Sequence, residues 1–251
     1  MNIRTALVVI ALLALSAPAH AAITFVTGTG VSAGSANAND VTTGAVDTTS
    51  ATLIVCVMSS YEAGTQPVIT DSKSNTWQTD TTIYESATSS SVEIVYTRAT
   101  SVGSGHTFTA TGTGSAPTIS CASFAGSHAS AGFDQENGAT NLISSSIATG
   151  SITPTENNEL VIAGVTWFDN LATASINESM TIAGQTDNSP GNHMGGGIAY
   201  KIQTTATAIN PTWTTTAGNN HAAAIASFKE AAAGGGGGPA AGSLNLIGVG
   251  R

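Results

Sequence analysis

The fold of this 251-residue chain is decided by two apolar stretches, LIVCVM at residues 53–58 and LVIAGV at residues 160–165. Each is an unbroken apolar run set in polar, threonine-rich sequence. Short continuous runs of this kind are typical of strands that are buried on both faces. The sequence therefore predicts strands over 52–58 and 159–165, both central in a sandwich.

The two stretches belong to a longer internal repeat. Further patches recur in the same order, and the members of each pair lie 104 to 107 positions apart. Similarity at one nearly constant spacing is the mark of a duplicated unit. We interpret residues 22–130 and 131–230 as two copies of one unit. The further pairs are VEIVY (92–96) with GGIAY (196–200), HTFTAT (106–111) with PTWTTT (211–216), and CASF (121–124) with IASF (225–228).

Composition favours short strands joined by tight turns. Charged residues make up only 8% of the chain, which is instead rich in threonine, serine, glycine and alanine. Turn signals recur about every 8–12 residues, a spacing typical of sandwiches. The alanine-rich segment 221–228 favours a helix by propensity, but its repeat partner, 117–124, is β-branched, so we predict a strand. The predicted fold class is all-β: a two-sheet sandwich, jelly-roll or immunoglobulin-like, built from the two repeats.

The succession of motifs resembles a known module. The chain is similar to a β-sandwich module that recurs in large bacterial surface and secreted proteins and in phage-associated proteins. The resemblance covers residues 50–230. It implies fold and location but no catalytic residues, because its motifs are turns and strands. The motifs are LIVCVM (53–58), VITDSKSNTW (68–77), VEIVYTRATSVGSGHTFTAT (92–111), ISCASFAG (119–126), FDQ (133–135) and TPTENNELVIAGV (153–165).

Both ends of the chain differ from the repeats. Arg4, an apolar run over 6–17 and the small-x-small motif AHA at 19–21 follow one another in the order of a secretory signal peptide. We therefore predict that residues 1–21 are a signal peptide and that the protein is secreted or held at the cell surface. Residues 231–251 join a glycine run to an apolar peptide. They predict a flexible linker followed by either a docking peptide for a surface or assembly protein or a frayed tail.

The charge balance excludes nucleic acid as a partner. The formal net charge is −9, and the six lysines and arginines are scattered along the chain. Nucleic-acid binding needs clustered cations that displace counterions, and an anionic membrane surface needs the same. After the signal peptide no apolar stretch is long enough to cross a bilayer, so we expect no integral membrane span.

The two cysteines, Cys56 and Cys121, both lie in strand-like runs. In an exported chain they either form one disulfide or remain two separate buried thiols, and both alternatives stay open. First and last strands are often neighbours in Greek-key sandwiches. We predict that the two residues lie close enough to bridge, with a Cα separation below about 7 Å. Their counterparts in the second copy are near Ala163 and Ile225.

Aromatic side chains are the candidate ligand contacts. Flat rings stack on sugar faces, while threonine, asparagine and serine supply hydrogen bonds to hydroxyl groups. The alternative is that large rings belong to the core, and Trp213, which matches Phe108 in the repeat, fits that alternative. Trp77 and Trp167 have no aromatic counterpart in the other copy. The predicted ligand-binding candidates are Trp77, Trp167, Tyr61 and Tyr84.

Catalytic and metal chemistry have weaker signals. The sequence GVSAG at 30–34 matches a nucleophile-elbow pattern centred on Ser32, but no helix follows it, which favours a chance match. No two histidines have the spacing of metal ligands, and His106, at a strand start, is expected at the surface or in a turn. Turn aspartates such as Asp71 are expected to cap backbone amides or to bind a structural Ca²⁺. We predict no catalytic residue and no cofactor, and leave metal binding open.

Three classes of function remain. The first is a non-enzymatic binding or adhesive protein outside the cell that recognises glycan. The second is a structural assembly subunit, such as an envelope, filament or virion component, joined through its tail. The third and least favoured is a secreted hydrolase. Exposure of Trp77 or Trp167 beside a groove would favour the first.

Overall fold

The chain folds into β-structure throughout. The structure, a computed structural model, describes residues 21–34, 38–61, 67–79, 81–86, 90–112, 116–127, 132–168, 173–187 and 194–231. These residues contain fifteen strands and no helix, so the all-β prediction is confirmed. The strands are β1 (Thr24–Phe25), β2 (Val31–Gly34), β3 (Asp40–Thr42), β4 (Leu53–Ser60), β5 (Val68–Asp71), β6 (Tyr84–Ser86), β7 (Ser90–Thr97), β8 (Phe108–Thr111), β9 (Thr118–Ala125), β10 (Phe133–Ala148), β11 (Glu159–Phe168), β12 (Ala174–Ile176), β13 (Thr181–Asp187), β14 (Met194–Gln203) and β15 (Thr212–Phe228).

Two six-stranded antiparallel sheets form the frame. The first has the order β1-β9-β4-β7-β6, and β2 also pairs with β9. The second has the order β10-β15-β11-β14-β13, and β12 also pairs with β15. The strands that contain the two apolar stretches, β4 and β11, each lie between two neighbours, and every residue of β4 is buried. Their predicted central position is confirmed.

The two sheets pack face to face as a β-sandwich. Leu53 and Val55 of the first sheet share one apolar core with Leu160 and Ile162 of the second. Because side chains alternate between the faces of a strand, the remaining apolar residues point outward from both sheets. Each sheet therefore needs a second cover on its outer face.

Each outer face is covered by further strands. A three-stranded sheet, β3-β8-β5, covers the first sheet and encloses Ile54 and Phe108. In the second half, β12 pairs with the first part of β15, and the core there contains Val161 and Trp213. The two six-stranded sheets have the same strand order, as the sequence repeat leads one to expect. The duplication itself remains an inference from the sequence.

A disulfide joins Cys56 of β4 to Cys121 of β9. The two residues are directly opposite in register, their Cα atoms are 4.1 Å apart, and neither is exposed. Of the two alternatives left by the sequence, the structure has the bond. The second sheet pairs Ala163 with Ile225 in the same place, so only the first half is cross-linked.

The alanine-rich segment 221–228 is a strand, as the repeat predicts. It forms the last part of β15 and pairs with both β10 and β11. Ala222, Ala224 and Ala226 face the core between the sheets, where small side chains let two sheets approach closely. Tertiary packing therefore overrides helix propensity here.

The predictions for the two ends fall largely outside the described residues, which begin at Ala21 and end at Ala231. The signal peptide and the tail stay predictions. Ala21 and Ala231 themselves form an isolated β-bridge. In the described part of the chain there is no helix with the length and apolarity to cross a membrane.

Candidate functional site

A groove lies between the cover strand β5 and the segment 74–79. Its cavity volume is about 500 Å³, and its lining consists of β5 with Ser74, Asn75, Trp77 and Thr79. β5 pairs with β8 on one side, and no other described strand pairs with its free edge. The lining thus combines one large aromatic ring with the aliphatic side chains of Val68 and Ile69 and with hydroxyl groups.

Asp71, the last residue of β5, organises the wall of this groove. Its Oδ1 accepts hydrogen bonds from the Lys73 backbone amide at 2.8 Å and from the Asn75 side-chain amide at 3.2 Å. Its Oδ2 accepts one from the Asn75 backbone amide at 3.2 Å. The indole N–H of Trp77 donates to Oδ2 at 2.7 Å. Capping of turn amides is one of the two roles predicted for this aspartate, the other being a ligand of a structural Ca²⁺. The bond to Trp77 adds a second role, because the same carboxylate orients the ring.

His106 and Thr48 hold the Asp71 carboxylate from the interior of the fold. His106 Nε2 lies 3.0 Å from Asp71 Oδ1, and His106 Nδ1 lies 2.8 Å from Thr48 Oγ1. The side chains of His106 and Asp71 and the whole of Thr48 have no exposed surface. The prediction of a surface or turn role for His106 is therefore wrong. Burial is tolerated because both ring nitrogens have partners and the ring packs 4.5 Å from Phe108 between centroids.

Opposing effects act on the charge of Asp71. Burial, the largest single effect, disfavours the carboxylate. The hydrogen bonds from Trp77, the Lys73 amide and His106 together outweigh it and hold the pKa of Asp71 below its ordinary value of 3.8. Asp71 is therefore ionised at neutral pH and acts as the acceptor for all of these donors.

The Trp77 ring has a fixed orientation. It is half-buried, and it packs edge-on against Phe108 with ring centroids 6.1 Å apart and an interplanar angle of 87°. Rotation of the indole would break both this contact and the bond to Asp71. The groove therefore has a preformed aromatic wall, which lowers the ordering cost of binding.

The free edge of β5 adds backbone groups to the groove. The Ser72 amide donates to the Thr107 carbonyl at 3.0 Å, on the β8 side. Backbone direction alternates along an antiparallel strand, so Thr70 also points its amide and carbonyl toward β8. Ile69 points these groups the other way, into the groove. A donor and an acceptor thus lie beside the ring.

The corresponding place in the second half is built differently. Ile176 lies opposite Trp213 in register, as Asp71 lies opposite Phe108. Two residues before Trp213 the chain has Pro211, where the first half has His106. The amide of Ala174 is bound by the side chain of Gln185 at 3.1 Å. Among the described residues, the Asp–His pair and the Trp77 wall therefore occur in the first half only.

The other three aromatic candidates lie outside the groove. Trp167 is only 1% exposed and belongs to the outer core of the second sheet, so it does not face a surface groove. Tyr61 packs on Phe168 with ring centroids 5.0 Å apart. Tyr84 packs at the margin of the core between the sheets, where burial and the Glu136 charge raise its pKa. The structure brings none of the three together with Trp77.

A larger cavity, of about 770 Å³, has an acidic character. Glu156 and Glu230 line it together with Ile202. Lys229 lies beside it and forms ion pairs with Asp134 at 3.1 Å and Glu156 at 3.5 Å. No aromatic ring is part of its lining among the described residues. It lacks the stacking surface that a sugar ring needs.

Ser32, the centre of the nucleophile-elbow pattern, is a strand residue in the structure. Ser32 lies inside β2, which pairs with β9, and its hydroxyl donates to Ser120 Oγ at 2.8 Å. Within the described ranges no three or more His, Cys, Asp or Glu side chains are grouped to hold a metal ion.

One buried acid was not singled out from the sequence. Glu93 of β7 lies opposite Met58 and is 3% exposed. Its neighbours in sequence, Val92 and Ile94, face the core between the sheets, so Glu93 points to the outer face. Burial raises its pKa from 4.5 to about 7. The signal in the sequence for a buried acid was a single charged residue within the apolar patch VEIVY at 92–96.

Comparisons of the chain with protein-family models, with curated proteins and with solved structures found no match.

Proposed function

We propose that this protein is an exported, non-enzymatic binding protein that recognises glycan through the groove beside β5. The observation that carries the proposal is the Trp77 ring, held by Asp71 at 2.7 Å on the wall of a groove of about 500 Å³. A flat, oriented ring offers a stacking surface for the apolar face of a sugar. The neutral groups around it suit hydroxyl partners better than charged ones.

Three features support a neutral saccharide as the ligand class. The groove's carboxylate is occupied by donors of the protein itself, so it offers little to an external cation. The net charge of −9 disfavours polyanions. Ser74 and Thr79 supply uncharged hydroxyl groups next to the ring. The export part of the proposal is supported by the signal-peptide pattern of residues 1–21.

A glycan array with the chain starting at Ala22 tests the proposal. Binding found there is then measured by calorimetry for Trp77→Ala, with Tyr61→Ala as the control at a second half-buried aromatic site. We expect Trp77→Ala to weaken binding about tenfold or more, the effect of losing one well-packed ring contact, and Tyr61→Ala to bind as wild type. Absence of glycan binding, or equal loss in both variants, would refute the proposal.

A further inference from the structure

We infer that His106 is a positioning residue for the Trp77 ring, acting through Asp71, and that the first half of the sandwich alone carries the binding groove. The inference rests on the proposed function for its ligand, but its geometric part can be tested without any ligand. His106 does not line the groove, and its contribution is to hold the group that holds the ring.

The direction of the hydrogen bonds follows from the charge of Asp71. An ionised carboxylate only accepts, so the proton between the two side chains is carried by His106 Nε2. The other ring nitrogen, Nδ1, lies 2.8 Å from Thr48 Oγ1, so the ring is held at both ends. Thr48 in turn accepts the Gly103 amide at 3.1 Å, which ties the chain of bonds to the backbone. The order from backbone to groove is Gly103, Thr48, His106, Asp71, Trp77.

His106 is the one side chain that approaches Asp71 from inside the fold. The other donors to the carboxylate come from the turn after β5 and from Trp77 itself. Without the Nε2 donor, Asp71 Oδ1 keeps its bonds from the Lys73 backbone amide and the Asn75 side-chain amide but loses the one that holds it from inside the fold. The carboxylate is then held less firmly against rotation about its last bond. Rotation moves Oδ2 away from the indole N–H, and the ring loses the bond that sets its orientation.

The second half shows that the sandwich does not need this pair. At the equivalent places it has Ile176 and Pro211, neither of which can form an ion pair. Burying an ionisable pair is seldom a gain in stability over apolar side chains of similar size. The first half nevertheless has Asp71 and His106 at these places. Asp71 accepts the hydrogen bond of the Trp77 indole on the groove wall, which an apolar side chain could not do. Function at the groove is the reason we assign to them.

Two substitutions of the same chemistry but different length test the role of His106. In His106→Gln the amide nitrogen can occupy the place of Nε2 and donate to Asp71. In His106→Asn the amide reaches only the place of Nδ1, beside Thr48. The readout is the indole N–H resonance of Trp77 in a ¹⁵N spectrum, assigned by its loss in Trp77→Phe, together with acrylamide quenching of tryptophan fluorescence.

We expect His106→Gln to keep the Trp77 resonance and His106→Asn to shift it and to raise quenching. For the glycan identified by the array, His106→Asn should weaken binding about three- to tenfold, the value of one net hydrogen bond, while His106→Gln stays near wild type. His221→Asn is the matched control, because His221 is equally buried and lies 3.0 Å from Thr215 in the second half. It should lower the melting temperature and leave Trp77 unchanged.

The outcomes separate three claims: the positioning role of His106, the binding of glycan, and the restriction of the groove to the first half. If the Trp77 resonance is the same in wild type, His106→Gln and His106→Asn, or if His221→Asn shifts it equally, the positioning role is refuted. If no glycan binds wild type but His106→Asn shifts the resonance and His106→Gln does not, the proposed function fails and the positioning role stands. A stoichiometry of two sugars per chain by calorimetry would refute the claim that only the first half binds.

Discussion

Replacement of Glu93 by glutamine should stabilise the protein at alkaline pH and leave its stability nearly unchanged at acidic pH. Glu93 is 3% exposed, and its pKa is raised from 4.5 to about 7 because burial disfavours the charged form. The folded state therefore holds the proton more tightly than the unfolded chain. Below pH 4.5 both states are protonated, and the residue carries no penalty.

The penalty develops as the pH rises. Between 4.5 and about 7 the unfolded chain ionises first, so the free energy of unfolding declines, and above 7 the loss is complete. At about 1.36 kcal/mol per pH unit the upper limit is about 3.4 kcal/mol. Residual solvent contact of the carboxyl group reduces this to about 2–3 kcal/mol. Glutamine has nearly the same shape and no charge, so it removes the penalty.

Urea unfolding at pH 4 and pH 8 measures the effect. The Glu93→Gln variant should gain about 2–3 kcal/mol over wild type at pH 8 and less than about 0.5 kcal/mol at pH 4. Glu178→Gln, the same change on an exposed turn, serves as the control and should show no such difference between the two pH values. A gain that is equal at both pH values, or a loss at pH 8, would refute the burial argument.

Three further predictions concern the disulfide, the groove carboxylate and the tail. Replacing both Cys56 and Cys121 by alanine should lower the free energy of unfolding by about 4 kcal/mol, the chain-entropy value for a closure of 65 residues; a urea titration that finds less than about 1 kcal/mol would contradict this. Asp71→Asn should lower the free energy of unfolding at pH 7 and lower it progressively less toward pH 3. The lowered pKa of Asp71 gives stability that is present above its ordinary value of 3.8 and lost as pH falls through the folded-state pKa. A difference between variant and wild type that does not change between pH 7 and pH 3 would count against this. Truncation after Ala231, whose amide donates to the Gly126 carbonyl at 2.8 Å, should leave the melting temperature within about 2 °C while reducing association measured by ultracentrifugation.

The frame of the fold was predictable because it depends on local patterns. Unbroken apolar runs identified β4 and β11 as central strands, and the repeat identified the alanine-rich end of β15 as a strand. Both signals depend on which side chains face a core, and the order of apolar residues along a strand shows this directly. How the strands of each copy divide between the sheets does not follow from the sequence, because pairing between distant segments leaves no local trace.

The candidate site was only partly predictable. Trp77 was singled out because the repeat offers no aromatic partner for it, and Trp167 was singled out by the same rule. Only the structure separates the two, since Trp77 lies beside a groove and Trp167 is 1% exposed in a core. The link from Asp71 to His106 spans 35 positions and joins residue types that are common in turns. Comparison of the two copies at these positions was the one signal that could have found it.

The burial of Trp167 leads to a last prediction, about the glycine run of β14. Trp167 lies opposite Gly195 in register, and a Cβ atom added at Gly195 would overlap the Trp167 indole. The indole is 1% exposed and belongs to the outer core of the second sheet, so a shift of the ring would have to displace packed neighbours. Gly195→Ala should therefore destabilise the protein by about 2–3 kcal/mol, the cost of overpacking a closed site.

Gly197 of the same strand supplies the matched control. A Cβ atom there would meet its nearest neighbour, Gln185 Cβ, at 3.4 Å, which is ordinary van der Waals contact. Gly197→Ala should cost less than about 1 kcal/mol, since only strand propensity and minor packing change. In the double variant Gly195→Ala/Trp167→Leu the two losses should be less than additive by about 1 kcal/mol or more, because the smaller side chain leaves space for the new methyl group. Strict additivity would mean that the two residues do not share a contact, and it would refute the overpacking argument.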